Sequence, residues 1–225
     1  MGSPDPESQP LDQRPVVAFD FDGTLTVSDS FTGFLVWNAG PWHGFTGAAR
    51  LAPALLSYAV RPDRGRLKAK AAKAFLSGLT RPELALRAEA FARDRMPTLI
   101  RPDALRTWNA WGEKGVRRAI VSASPDEILA PFAHRLGADC LIATRLKWGP
   151  DGRLTGELDG LNCRGPEKTR RLVAQFGTGF ALAAAYGDTA GDREMLAMAE
   201  TPGYRVFTER PQRQGGQRDV SRPSG

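Results

Sequence analysis

The sequence predicts an α/β protein: a doubly wound parallel sheet with a helical insertion between its first and second strands. Three observations predict it. The run Val16-Val17-Ala18-Phe19 is apolar and β-branched and stops abruptly at Asp20-Phe21-Asp22-Gly23-Thr24, as a buried parallel strand stops at the carboxyl edge of its sheet. From about residue 102 onward, strand-like and helix-like segments alternate, the pattern of βαβ units. Between these two parts, Trp42 to about Ile100 is helical throughout, without a strand-like run.

Each element follows from local pattern. Asp29 to Ala39 reads as a short helix with Phe31, Phe34 and Leu35 on one side. The helical block breaks at Arg61-Pro62-Asp63 and at Leu79-Thr80, where Thr80-Arg81-Pro82-Glu83 is a capping box with proline in the first turn. A helix over Pro102 to Lys114 leads to a strand over Val116 to Val121. Ser124-Pro125-Asp126-Glu127 reads as a second capping box, opening a helix that ends near Leu136-Gly137. A strand over Cys140 to Ala143 follows, then a hairpin from Thr144 to Asp159 that turns at Gly149-Pro150-Asp151-Gly152. Helix Glu167 to Phe176, strand Ala181 to Tyr186, helix Asp192 to Ala199 and a last strand Tyr204 to Phe207 complete the order. The expected division is a disordered tail over 1–13, a core over 14–40 and 101–208, an insertion over 41–100 and a disordered tail over 209–225, which has little to bury.

Composition narrows the class. A chain of 225 residues with 41% hydrophobic content holds one generous domain or a core with an appendage. Cys140 and Cys163 lie far apart and form no metal or redox pattern, so reduced thiols in a cytoplasmic protein are expected. The start, Met1-Gly2-Ser3-Pro4-Asp5, has neither a basic nor an apolar signal region. The net charge of +6 is scattered and accompanies no aromatic-lined basic groove, so no nucleic-acid partner is expected. The same charge is compatible with phosphorylated substrates or anionic lipid.

The chemistry collects at strand ends. Phe19 and Phe21 should face one side and Asp20 and Asp22 the other. Two converging carboxylates repel unless a cation lies between them, which asks for a hard divalent metal, foremost Mg²⁺. Ser122 ends the second strand before a helix N-terminus, an anion-binding corner. Gly187-Asp188-Thr189-Ala190-Gly191-Asp192 ends a later strand with two more carboxylates. Lys168 sits at a helix start, where the macrodipole disfavours a cation. Taken singly, each has a bland explanation as a turn, a cap or a solvated side chain. Jointly, they fall on one edge of the sheet, where open α/β sheets place their ligands.

These motifs resemble the haloacid dehalogenase (HAD) superfamily: Asp20-Phe21-Asp22-Gly23-Thr24, Ser122, Lys168 and Gly187 to Asp192, over roughly residues 14 to 208. The fold so implied is a Rossmann-like HAD core with a helical C1-type cap, as in the phosphoserine-phosphatase-like subfamily IB. Asp29-Ser30-Phe31 with Phe34-Leu35, and Cys163-Arg164-Gly165-Pro166-Glu167-Lys168, look closest to the phosphatidylglycerophosphatase C family and its relatives. The resemblance implies a hydrolase acting on phosphomonoesters. Asp20 would be the nucleophile and Asp22 the general acid and base. Mg²⁺ would be held by Asp20, Asp188 and the backbone carbonyl of Asp22, with Asp192 acting through the metal's waters. Ser122 and Lys168 would bind phosphate, with Thr24 orienting Asp22 among them. Asp29 would face the substrate. The expected substrate is a lipid phosphate such as phosphatidylglycerophosphate, and the alternative a small metabolite such as phosphoserine. A non-catalytic phosphate-binding regulator is the alternative of another class. The cap segment Gly44 to Val60, with Arg50 its only charge, reads first as a cap helix buried against its neighbours. It reads second as a contact with the inner face of a membrane from the cytoplasm, without spanning it.

Overall fold

The computed structural model describes residues 14–38 and 75–212. The cap segment Gly44 to Val60, the tail over 1–13 and residues 213–225 lie outside the described residues. The described chain runs β1 (Val16–Phe19), a helix α1 over residues 30–38, α2 (Arg81–Leu99), α3 (Pro102–Glu113), β2 (Arg117–Pro125) and α4 (Asp126–Arg135). It continues through β3 (Cys140–Thr144), β4 (Leu146–Trp148), β5 (Leu154–Leu158), α5 (Pro166–Phe176), β6 (Leu182–Gly187), α6 (Arg193–Met198) and β7 (Thr201–Tyr204).

Five strands form one parallel sheet in the order β3-β2-β1-β6-β7, so β1 is central. All four β1 side chains are fully buried, and they alternate between the sheet's faces as strand geometry requires. Val17 and Phe19 enter a cluster with Trp108 of α3 and Phe132 of α4, where the Phe19 and Trp108 rings meet edge to face at 5.1 Å. Val16 and Ala18 face the other layer, with Leu172 of α5 and Met195 of α6. Helices on both faces of a parallel sheet make the doubly wound core that the alternation predicts.

The chain leaves and re-enters this core side by side. Val27 N–H donates to the Leu99 carbonyl at 2.9 Å and Arg101 N–H to the Leu25 carbonyl at 2.8 Å. Helix α1 packs on α2 through Phe34 and Phe91, whose ring centroids are 5.5 Å apart. It therefore lies beside α2 of the expected insertion. Phe91 also meets Phe132 at 5.8 Å, seating the insertion on α4. The capping box at Thr80 forms as expected, with the Glu83 carboxylate accepting from Thr80 N–H at 2.8 Å. The β4–β5 hairpin is antiparallel and leans on this side too, with the Arg81 guanidinium 4.2 Å from the Trp148 ring centroid.

Three expectations change. Strand β2 runs on to Pro125, and α4 starts with no side-chain cap, so the Ser124–Glu127 capping box does not form. Glu127 instead accepts a hydrogen bond from the Trp148 indole at 3.1 Å. The last strand lies at Thr201–Tyr204, three residues earlier than its apolar run, and Arg205 at φ 54° ends it. Glu209, the expected start of a loose tail, is held by Arg106 at 2.5 Å, and the Thr208 and Glu209 N–H groups donate to Asp103. No helix among the described residues is long and apolar enough to cross a membrane.

Candidate active site

Asp20 follows β1 directly, its N–H donating to the Tyr186 carbonyl at 2.8 Å and so continuing the ladder with β6. Its carboxylate is buried. Oδ1 accepts from Lys168 Nζ at 2.6 Å and Oδ2 from the Thr24 hydroxyl at 3.4 Å. Thr24 thus serves the first aspartate, where the sequence pattern has it orient the second. Beyond Asp20 the chain makes one wide turn, Phe21–Leu25, closed by Thr26 N–H onto the Phe21 carbonyl at 3.0 Å. Within it Asp22 stays extended (φ −76°, ψ 114°) and Gly23 takes φ 87°, which redirects Asp22. The Asp22 carboxylate accepts from the Ser30 N–H at the start of α1, at 2.6 Å, and from the Ser124 hydroxyl. Asp29, at that helix start, accepts from Thr32 N–H at 2.7 Å.

Lys168, 2% exposed, spends all three ammonium donors, each at 2.6 Å: on Asp20 Oδ1, on the Val121 carbonyl and on Asp192 Oδ1. Burial alone would pull this ammonium down, but Asp20 and Asp192 outweigh it and hold it above its ordinary value. Burial pushes the Asp20 carboxyl up, Lys168 pulls it back, and Asp192 and Asp22 push again, leaving it at about 7. Asp192 is also pushed up by burial, yet Lys168 and Thr189 win and hold it below the usual carboxylate range. Its Oδ2 accepts from the Thr189 N–H and hydroxyl at 2.9 and 2.8 Å.

Asp188 completes the acidic group. Carboxylate oxygens of Asp20, Asp188 and Asp192 lie within 4.8 Å of one another, and Asp188 Oδ1 is buried without a hydrogen-bond partner. Burial and then Asp192 raise its pKa. Close hard oxygens and an orphaned buried acceptor fit Mg²⁺, which takes few carboxylates and keeps waters. Asp192 accepts three hydrogen bonds, from Lys168 and twice from Thr189, and Asp20 accepts two, from Lys168 and Thr24. Two glycines allow this approach. A Cβ on Gly23 would lie 2.4 Å from Asp188 Oδ2, and one on Gly187 would lie 2.5 Å from Asp192 Cβ. Gly23→Ala should therefore weaken Mg²⁺ binding about 10- to 100-fold, as displaced ligand supports do, and destabilise the fold by about 1–2 kcal/mol through its positive φ. Titration calorimetry with Mg²⁺ checks the first effect, and an unchanged affinity would remove Asp188 from the metal set.

These groups border a cavity of about 90 Å³. The structure brings Asp20, Asp22, Asp29, Ser122, Lys168 and Asp192 to its wall, with Thr24 behind Asp20 and Asp188 beside it. Ser122 accepts from Ser124 N–H at 3.1 Å, and its own proton has no partner among the described residues. Two wall residues, Asn162 and Arg164, are given no role by the motif pattern, although Arg164 stands in the Cys163–Lys168 segment. Nor does the pattern show Ser124 as a support for Asp22. Its spacing of two from Ser122 on an extended segment is the signal that points there.

The family model for haloacid dehalogenase-like hydrolases matches residues 17–197. The chain is 55% identical over 196 residues to protein CicA of Caulobacter vibrioides, covering 87% of this chain and 88% of that protein. A crystal structure of a protein with unknown function from Bordetella pertussis aligns with TM-score 0.70 and 26% identity over 84% of this chain and 88% of that one. A phospho-aspartyl intermediate analogue of phosphoserine phosphatase aligns with TM-score 0.55 and 22% identity, over 84% and 85%, a likeness of fold.

Proposed function

Because the chain belongs to the haloacid dehalogenase-like hydrolases, we propose that it hydrolyses a phosphomonoester through a phospho-aspartyl intermediate on Asp20. The observation that carries this is a carboxylate pair at a phosphoryl-sized cavity, with its two members held differently. Asp20 is buried and fixed by Lys168 and Thr24. Asp22 sits across the turn and accepts from Ser30 N–H and the Ser124 hydroxyl.

In the first half-reaction an Asp20 oxygen bonds to phosphorus, the ester P–O bond breaks and Asp22 gives its proton to the departing alcohol. In the second, water attacks the same phosphorus, Asp22 takes the water's proton, and the P–O bond to Asp20 breaks to release phosphate. The Ser122 hydroxyl, its proton unspent, donates to a phosphoryl oxygen, where the transferring group carries its charge. Lys168 fixes the orientation of Asp20 and keeps positive charge beside it. Asp20, Asp188 and the Asp22 carbonyl would hold Mg²⁺, which would supply charge to offset repulsion between carboxylate and phosphate.

For the leaving group the proposal is a lipid phosphate such as phosphatidylglycerophosphate, with peripheral membrane contact through the cap. The apolar segment Gly44 to Val60 and an apolar wall of Phe31, Pro125, Leu146 and Leu158 support it. That wall lies beside Ala123 and Asn162 of the phosphoryl cavity, and the recess at it is only about 10 Å³. The test is hydrolysis of phosphatidylglycerophosphate in mixed micelles, of phosphoserine and of p-nitrophenyl phosphate, each with Mg²⁺, Ca²⁺ or EDTA. Mg²⁺ should support turnover, Ca²⁺ poorly because of its larger coordination shell, and EDTA should abolish it. Full activity in EDTA would refute the metal, and preference for phosphoserine would replace the lipid substrate.

A further inference from the structure

The cavity poses a problem of charge. Among the described residues, four carboxylates border it, Asp20, Asp22, Asp29 and Asp192, against two cations, Lys168 and Arg164. A divalent ion would offset part of that excess. A phosphomonoester dianion still needs donors on its own oxygens, and Lys168 has none left: its three N–H groups are committed to Asp20, Val121 and Asp192. Arg164 is in the opposite condition. Its backbone is tied in, with N–H donating to the Asn162 carbonyl at 2.8 Å. None of its guanidinium N–H groups has a hydrogen-bond or ion-pair partner among the described residues.

Packing places this guanidinium all the same. The loop before α5 is clamped to the loop after β6 by Gly165 N–H onto the Gly191 carbonyl at 2.8 Å. The Arg164 side chain lies flat on Gly191, so close that a Cβ there would fall 2.7 Å from its Cγ and Cζ and 2.9 Å from its Nε. A glycine at 191 thus makes room for an arginine at the wall. A cavity of about 90 Å³ among the described residues has room for a phosphoryl group beside Asp20 and Arg164.

On the phosphomonoesterase reading, we infer that Arg164 is a phosphoryl-binding residue, its planar guanidinium donating to non-bridging oxygens of the substrate phosphate. Lys168 orients the nucleophile, and Arg164 holds the group it attacks.

The experiment measures inhibition by inorganic phosphate, together with kcat and KM on p-nitrophenyl phosphate, in the full chain with Mg²⁺. Arg164→Ala should raise the phosphate inhibition constant about 10- to 100-fold, the range of a lost charge-assisted hydrogen bond, and raise KM alike, with a melting temperature near wild type. Arg164→Gln, which keeps bulk over Gly191, should behave similarly, and Arg164→Lys should recover part of the loss. Gly191→Ala, displacing the guanidinium, should weaken phosphate binding, yet add nothing in the Arg164→Ala background. An unchanged phosphate constant in Arg164→Ala would overturn the assignment, as would additive effects in the double variant. So would a KM increase without a change in phosphate inhibition, which would place the arginine on the leaving group. A wild-type protein that neither binds phosphate nor hydrolyses any phosphomonoester would overturn the phosphomonoesterase reading and this inference together.

Discussion

Asp20→Asn should yield a folded protein whose turnover of phosphate esters falls by at least about 10³-fold, since an amide of the same shape is a poor nucleophile. The same change should raise the melting temperature of the metal-free protein at pH 8. The Asp20 carboxyl is pushed up to about 7 from its ordinary 3.8, so its ionisation opposes folding. The sign follows from linkage: with the folded pKa raised, stability is full below pH 3.8 and is lost as pH rises through about 7. Asparagine removes that loss, so the two proteins should converge below about pH 4 and separate above neutrality. Thermal melts across pH, in EDTA, check this. A variant that melts lower than wild type at pH 8 would show that the carboxylate's bonds to Lys168 and Thr24 outweigh its burial.

Lys168→Met should be the most damaging single change, in stability as well as activity. Its ammonium is the shared partner of Asp20, Asp192 and the Val121 carbonyl. Removing it leaves buried acceptors and charge uncompensated, a loss of about 3–5 kcal/mol for one partner of a buried pair. In a chain of this size that is a fall in melting temperature of roughly 6–20 °C. Because the lysine's pKa is held above 10.5, its contribution is complete below that pH and is lost only as pH rises through the higher folded value. The deficit should nevertheless grow as pH rises through about 7, where Asp20 ionises beside the ammonium in the wild type and without it in the variant. Asp20→Asn added to Lys168→Met should restore part of the loss, since one orphaned charge then disappears. Denaturant unfolding of the two single variants and the double variant measures it, and strict additivity would mean that the pair is not coupled.

Residues that end a strand or start a helix were legible in the sequence. Asp20, Ser122, Asp188 and Lys168 each stand where a periodic run breaks, and sheet topology then carries them to one edge. What the sequence concealed depends on turns that periodicity does not describe. Gly23 at φ 87° turns Asp22 out of the strand direction, so Thr24 meets Asp20 while Ser30 and Ser124 meet Asp22. Ser124 matched a capping box, yet β2 stays extended through Pro125 and the hydroxyl goes to the site.

The last strand was misplaced for a related reason. Tyr204 to Phe207 looks like a strand, but Pro202 and Gly203 pair with β6 in its place. Gly203 does so because a Cβ there would lie 2.4 Å from the Tyr186 ring, and Phe207 spends its apolar surface stacking on Phe19 at 6.1 Å. Arg164 was hidden because its place depends on Gly191, far along the chain.

The central claim is that phosphate passes through Asp20. Acid-quenching the enzyme within one turnover of a ³²P-labelled phosphomonoester, followed by proteolysis and mass spectrometry, tests it most directly. The account predicts a hydroxylamine-labile phosphoryl group on the peptide carrying Asp20, absent in Asp20→Asn and slower both to form and to decay in Asp22→Asn, which lacks the acid and the base. Label on any other residue, or steady turnover with Asp20 never phosphorylated, would contradict it.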